Sequence, residues 1–421
     1  MPAAGHLLIL EPKSAGHVRE WIGHILAACD LPGPPRRLTF AIGEDLASEF
    51  GGPLPDGVDL VALDPALRRR CMDRRPPVSA FARWQAMRRL LAHTGAGHGL
   101  FLECDHVALP LALGLRIGRA RLSGILFRPS AHYRAIDGSP SSRRERLRDL
   151  VKDLTMRLAL RNPALDTVFS LDPYFPAFAR NRYGGGRKVR ALGDPAAPRH
   201  RHTADAPVPG AADGRRVFLL FGEITHRKGA AQLLRALARL RPEVAATVAV
   251  VLAGRIDPAI APELDALQAD IRERRSGLAL QVIDRWLSEQ ELDSLVDRCD
   301  VVLAPYQRFV GSSGVLIRAA AAGKPVICQR YGLLGRLVAG YRLGLAVDSS
   351  DPDALAAAVT AFARDAGPDR SDGALRAAFL RERRPALFAW RILELAAPGR
   401  PSRRDGPVAR CHSAATDGHT G

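Results

Sequence analysis

Lysine is nearly absent. Only five of the 61 basic residues are Lys and the rest are Arg, in a chain rich in Ala, Gly and Pro. That asymmetry reads in part as GC-rich codon usage, so the net charge of +17 is partly background. A basic surface still favours anionic partners: nucleic acid, phosphosugars or an acidic membrane face. Aromatic residues make up only 6% of the chain, and none interleave with the basic residues as a stacking platform, which argues against a nucleic-acid binder. Cysteines are few: Cys29, Cys71, Cys104, Cys299, Cys328 and Cys411, with no CxxC pair. Their spacing excludes a zinc module, and reduced thiols in a cytoplasmic protein are expected. No apolar run approaches the ~20 residues of a membrane span. The opening "HLLILEP" lacks the basic flank and cleavage site of a signal peptide, so it reads as a strand. Membrane contact, if any, is expected to be peripheral, on an anionic inner face.

What is present is alternation. Short apolar runs and helical patterns follow one another along 421 residues, too many for one ordinary core. Alternation of this kind predicts βαβ units, parallel sheets and two doubly wound α/β domains facing a cleft. Residues 1–195 form the expected first domain, 196–215 a Pro/Gly-rich linker and 216–378 the second domain. Residues 379–397 are expected to form a closing helix returning to the first domain, and 398–421 a disordered tail. Ser288 with Glu291 reads as a capping box, and Asp351 with Pro352 as a capped helix start. "HVALPLALGL" reads as one further helix.

Four stretches carry candidate chemistry. In "FGEITHRKG", Gly222 turns the chain after a strand, and Arg227 and Lys228 stand at a helix entrance where free N–H groups and the helix dipole favour an anion. Glu223 in the same turn is an acid where an anion is expected. In "GSSGVLIRAAAAG", Ser312, Ser313 and Gly314 open a second helix, with hydroxyl donors beside its first amides. In "EPKSAGHV", Gly16 permits a tight turn and His17 begins a helix. "ECDH" and "RPSAHY" place Asp105, His106 and His132 just after strands. No second cluster with ligand spacing accompanies them, so no metal is expected. Each of these stretches also has a plain structural reading: a solvated helix start, a Ser cap, or a satisfied structural His.

The order and spacing of "FGEITHRKGAAQLLRAL", "VVLAGRID", "VIDRWLSEQELDSLVDRCDVVLAPY", "AAAAGKPVICQRYGLLGRLV" and "GLAVDSSDPDALAAAV" carry a likeness. This half resembles the retaining glycosyltransferases of family four (glycosyl transferases group 1), which have the GT-B fold. The first half resembles them in architecture alone. The resemblance implies a nucleotide diphosphate sugar donor as co-substrate, no cofactor or metal, and an acceptor hydroxyl on a glycan or lipid-linked sugar in polysaccharide or glycolipid assembly. It implies donor contacts at Gly222, Arg227, Lys228, Arg255, Ser312, Ser313, Gly314 and Val315. His132 is the catalytic candidate on the acceptor side, with Gly16, His17 and Asp105 behind it. The family's diphosphate clamp is an Arg with a Lys five residues on; here Lys228 matches the Lys and Glu223 replaces the Arg. The family's paired Glu positions read Val310 and Arg318. Two charges are therefore exchanged in sign, which suggests that Arg318 pairs with Glu223 or replaces the lost positive charge. Two readings stay open: an active transferase using Lys228, Arg318 and His132, or a silent GT-B module that binds nucleotide or glycan or serves as an assembly partner.

Overall fold

The computed structural model describes residues 3–14, 16–29, 37–129, 132–133, 143–196, 214–274, 277–364 and 372–397. The tail expected at 398–421, and all but the ends of the linker expected at 196–215, lie outside the described residues.

Two wholly parallel sheets are built. The first runs β3-β2-β1-β4-β5-β6-β7, from β1 (Ala3–Glu11), β2 (Arg37–Ile42), β3 (Val58–Ala62), β4 (Ala96–Phe101), β5 (Arg121–Leu126), β6 (Leu165–Ser170) and β7 (Val189–Ala191). The second runs β10-β9-β8-β11-β12-β13, from β8 (Arg216–Phe221), β9 (Val248–Ala253), β10 (Ala279–Ile283), β11 (Val301–Ala304), β12 (Val326–Gln329) and β13 (Gly344–Val347). Each sheet reverses its winding once, between β1 and β4 and between β8 and β11. In open α/β sheets ligands bind outside the strand ends at that switch point.

The continuous apolar strands follow from helices on both faces. Val217, Leu219 and Phe221 of β8 face one core, while Phe218 and Leu220 face the other. Leu8 and Leu10 of β1 similarly face away from Leu7 and Ile9. Local signals agree with the elements. Ser288 and Glu291 make a reciprocal capping box, and Asp351 caps a helix that starts at Pro352. One expected helix is cut short: "HVALPLALGL" becomes a 3-10 turn, Cys104–Val107, and a helix of only Ala108–Ala112. It stops because Gly114 turns left-handed at φ 74°.

The chain returns to the first sheet near its end. The helix Pro385–Leu393 packs on His17–Cys29, with the Phe388 ring 5.0 Å from Trp21. His98 of β4 donates from Nδ1 to the Leu395 carbonyl at 3.1 Å and accepts at Nε2 from the Ser123 hydroxyl at 2.9 Å. Burial disfavours the charged ring and lowers the imidazole pKa to about 4.

Candidate functional site

Four of the quoted loops follow strands at the switch points, while "RPSAHY" comes after β5. "EPKSAGH" follows β1, "ECDH" follows β4, "FGEITHRKG" follows β8, and the loop into Gly314 follows β11.

On the second-sheet side, Gly222 adopts φ 93°, a region open to glycine. A Cβ there would sit 3.0 Å from the Lys228 ammonium, so the turn is fitted around the lysine. Lys228 closes a 3-10 turn, His226–Lys228, and is only 6% exposed. Its Nζ donates to the Phe221 carbonyl at 2.8 Å and to the Tyr306 hydroxyl at 3.2 Å, and lies 4.9 Å from the centre of the Tyr306 ring. An ammonium has three N–H groups, so a third remains for an incoming anion. The Tyr306 hydroxyl also lies 3.1 Å from Ser313 Oγ, which links the β8 and β11 loops. Gly229, at φ 73°, lets the helix Ala230–Leu237 start against β11; a Cβ would fall 1.9 Å from the Pro305 carbonyl oxygen. Arg227 is exposed and stacks over Phe309 at 5.0 Å, Arg255 is exposed, and Val315 is buried.

The two serines do not cap their helix. Gly314–Ala321 begins without a side-chain cap, leaving its dipole end free for an anion. Ser313 turns to Tyr306, and Ser312 donates across the cleft to Asp194 at 3.1 Å. The cleft is narrow: a Cβ on Gly314 would lie 4.0 Å from the His17 ring, and the Arg336 guanidinium sits 3.9 Å from the centre of the Tyr174 ring.

The expected exchange between Glu223 and Arg318 is corrected by the geometry. The Arg318 guanidinium meets Asp293 at 2.6 Å and also Glu289, both on the helix Glu289–Arg298. Asp293 is 1% exposed and needs a counter-charge, and Arg318, one turn into its own helix, supplies it. Glu223 is exposed and makes no side-chain ion pair among the described residues. Arg318 is therefore a neutralised bridge rather than a free cation. It still acts across the cleft on Glu20, whose carboxyl is pushed up by burial and is also sensitive to His17 and Glu289.

His132 is likewise corrected. It is 4% exposed, its Nδ1 is 2.6 Å from Asp172, and its ring lies 4.9 Å from that of Phe178. This is a packed pair rather than a His at an open edge. Asp105 accepts from the Phe127 and Arg128 amides at 2.9 and 3.2 Å; burial raises its carboxyl against those bonds. Asp105 thereby shapes the wall of a cavity of about 560 Å³ on the first-sheet side, whose polar lining includes Lys13, Glu103, His106, Arg128 and Lys152. Glu103 binds Lys13 and, at 3.1 Å, His106. Burial opposes its ionisation, but the His106 and Lys13 hydrogen bonds prevail and hold its pKa at about 2. Among the described residues, no group of three or more His, Cys, Asp or Glu could hold a metal ion.

Sequence reasoning missed Tyr306, Asp293, Asp194 and the cavity. Tyr306 had a signal, since it stands directly after a strand at a switch point. Asp293 lies inside an ordinary amphipathic helix, and its demand for a cation shows only in three dimensions.

Residues 215–365 match the family model for glycosyl transferases group 1. That stretch of the second domain is similar to a group 1 glycosyl transferase domain. A GDP-mannose-dependent alpha-(1-6)-phosphatidylinositol monomannoside mannosyltransferase of Mycolicibacterium smegmatis is 29% identical over 205 residues, 47% of this chain and 44% of that protein. The chain thus spans less than half the length of the curated relative it matches. Among solved structures, sucrose-phosphate synthase of Thermosynechococcus elongatus superposes with a TM-score of 0.62 at 18% identity, covering 93% of this chain and 96% of the other. The HepE protein of Anabaena, in complex with UDP, superposes with a TM-score of 0.61 at 14% identity, covering 92% and 98%. These neighbours share the two-sheet architecture, and the chain has the GT-B fold.

Proposed function

We propose that this protein transfers a sugar from a nucleotide diphosphate sugar to an acceptor hydroxyl, with retention of anomeric configuration. The observation that carries the reading is the meeting of Lys228, Tyr306 and Ser313 beside the uncapped start of Gly314–Ala321. Bond breaking develops negative charge on a departing diphosphate. Lys228, the Gly314 helix start and, from the rim, Arg227 and Arg255 supply preorganised positive charge there, without a resident metal or cofactor. Gly222 and Val315 shape the space, and Ser312 links it to Asp194. Closure of the His17 side over Gly314 limits water access to the donor.

The acceptor reading moves from His132 to the first-sheet cavity, where Lys13, His106 and Arg128 present polar groups to a hydroxylated ligand. The relative named above uses GDP-mannose and a phosphatidylinositol mannoside, which makes a glycolipid or lipid-linked glycan the first acceptor class to try. Work at the cytoplasmic face of a membrane, in polysaccharide or glycolipid assembly, fits that choice. A thermal-shift screen of GDP- and UDP-sugars, run with turnover assays, tests the reading. Stabilisation and transfer are expected with at least one donor, and no response to any donor would overturn it. Stabilisation without transfer or donor hydrolysis would instead favour a silent nucleotide-binding module, a reading that the Val310 and Arg318 replacements support.

A further inference from the structure

The helix Arg143–Arg161 leaves uncovered what helices of this length usually bury. Leu147, Leu150, Val151, Leu154 and Leu158 are 64, 63, 57, 55 and 40% exposed. Their spacing of three, one, three and four puts all five on one stripe about 100° wide. At 1.5 Å per residue that helix is about 28 Å long. Its opposite face makes the packing contacts: Asp153, Ala159 and Leu160 are buried, and Asp153 is tied to Arg182 and Tyr183.

The borders of the stripe are basic. Arg146 and Arg157 lie along one side by helical register and Arg144 and Arg148 along the other, while Arg143 heads the stripe one turn before Leu147. The helix holds seven basic residues against three acidic ones. The turn beyond it adds Leu113 and Leu115, 61 and 36% exposed, with Arg116 and Arg119 exposed beside them. Asn162 fastens that turn to the helix end by donating to the Leu111 and Leu115 carbonyls at 3.0 and 2.8 Å.

We propose that this face docks on an anionic lipid bilayer, with the helix axis in the plane of the surface. The leucines would enter the acyl boundary, while the arginines lay their stems along it and keep their guanidinium groups among lipid phosphates. A protein partner fits less well. Protein interfaces are enriched in aromatic side chains, and this stripe is wholly aliphatic. Lys152, Thr155 and Met156 of the same helix line the 560 Å³ cavity, so docking brings the cavity to headgroup level. The proposal stands without the transferase reading, because it concerns binding and not turnover.

Flotation of the full chain tests it. Vesicles of phosphatidylcholine alone are compared with vesicles holding about one-third phosphatidylglycerol, in about 0.15 M salt. The protein is expected to float with the anionic vesicles, and the Leu150→Asp/Leu154→Asp double variant to lose at least about tenfold in partitioning. Arg144→Glu/Arg148→Glu is expected to weaken binding and its salt dependence, while Trp286→Asp, an exposed apolar site on the second domain, leaves both unchanged. Circular dichroism checks that the variants fold. As a second readout that avoids added charge, Leu154→Trp should shift its emission to the blue on anionic vesicles. Three results would overturn the proposal: no flotation of the parent protein, unaltered flotation of the leucine variant, or a dimer in solution that the leucine variant splits. The last would assign the stripe to a second copy of this chain.

Discussion

The two sheets face one cleft with the same winding, yet their edges are organised in opposite ways. On the second-sheet edge the motif cations are largely committed. Lys228 is folded back on Phe221 and Tyr306, and Arg318 is held by Asp293 and Glu289. On the first-sheet edge an open cavity lies beside a helix that exposes both its arginines and its leucines. A preorganised charge suits a ligand whose charge develops in one place. An open, amphipathic surface suits a ligand brought from elsewhere. The difference explains why a basic residue in a motif is not by itself a free charge: Arg318 stands in a motif helix, yet it is spent on Asp293 and Glu289 of its own domain.

The sharpest way to break this comparison is to remove Arg318. Arg318→Leu removes the guanidinium that balances the buried Asp293 carboxylate, and we expect a loss of about 3–5 kcal/mol in denaturant unfolding. Adding Asp293→Leu should restore most of it. The Glu223→Arg/Arg318→Glu exchange should behave as the sum of its single variants; a coupling near or above about 1 kcal/mol would revive direct pairing.

Next comes the pH response of the closing segment. His98 has its folded pKa lowered to about 4 from 6.5, so the unfolded chain binds the extra proton first. Stability is therefore complete above about 6.5 and lost as pH falls toward about 4, with an expected span of about 3 kcal/mol. Melting temperatures across that window should flatten in His98→Gln. An unchanged slope would show that His98 is not the titrating group.

Smaller effects sharpen the donor side. Tyr306→Phe removes the hydroxyl between Lys228 and Ser313 and should cost about 1 kcal/mol in stability or nucleotide affinity, measured by calorimetry. Glu223→Gln should tighten diphosphate binding only about two- to threefold, because Glu223 is exposed and screened. A larger gain would mean that Glu223 lies closer to the ligand than its exposure implies.

The fold was legible because βα alternation, capping residues and buried strands are local signals. The unbroken apolar run "VAVVLA" pointed to a strand covered on both faces, and Ser288 with Glu291 to a helix start. The end of "HVALPLALGL" was misread because the helical apolar pattern there outweighed the left-handed turn at Gly114. The donor loops were legible in position but not in partner. Spacing placed Lys228 and Ser313 near a helix start, but nothing in sequence said that Tyr306 would bridge them. The Arg318 partners and the burial of His132 against Asp172 depend on which helices pack together. The exposed leucine stripe was illegible for the same reason, since periodicity alone marks such a face as core.

On the proposed function, the Lys228 site binds a nucleotide diphosphate. Isothermal titration of GDP and UDP into the parent protein and into Lys228→Met tests it most directly. Binding of at least one nucleotide is expected, with a loss of about ten- to hundredfold in the variant and the fold retained by circular dichroism. Equal affinity in the two proteins, or no binding of either nucleotide to the parent, would contradict it.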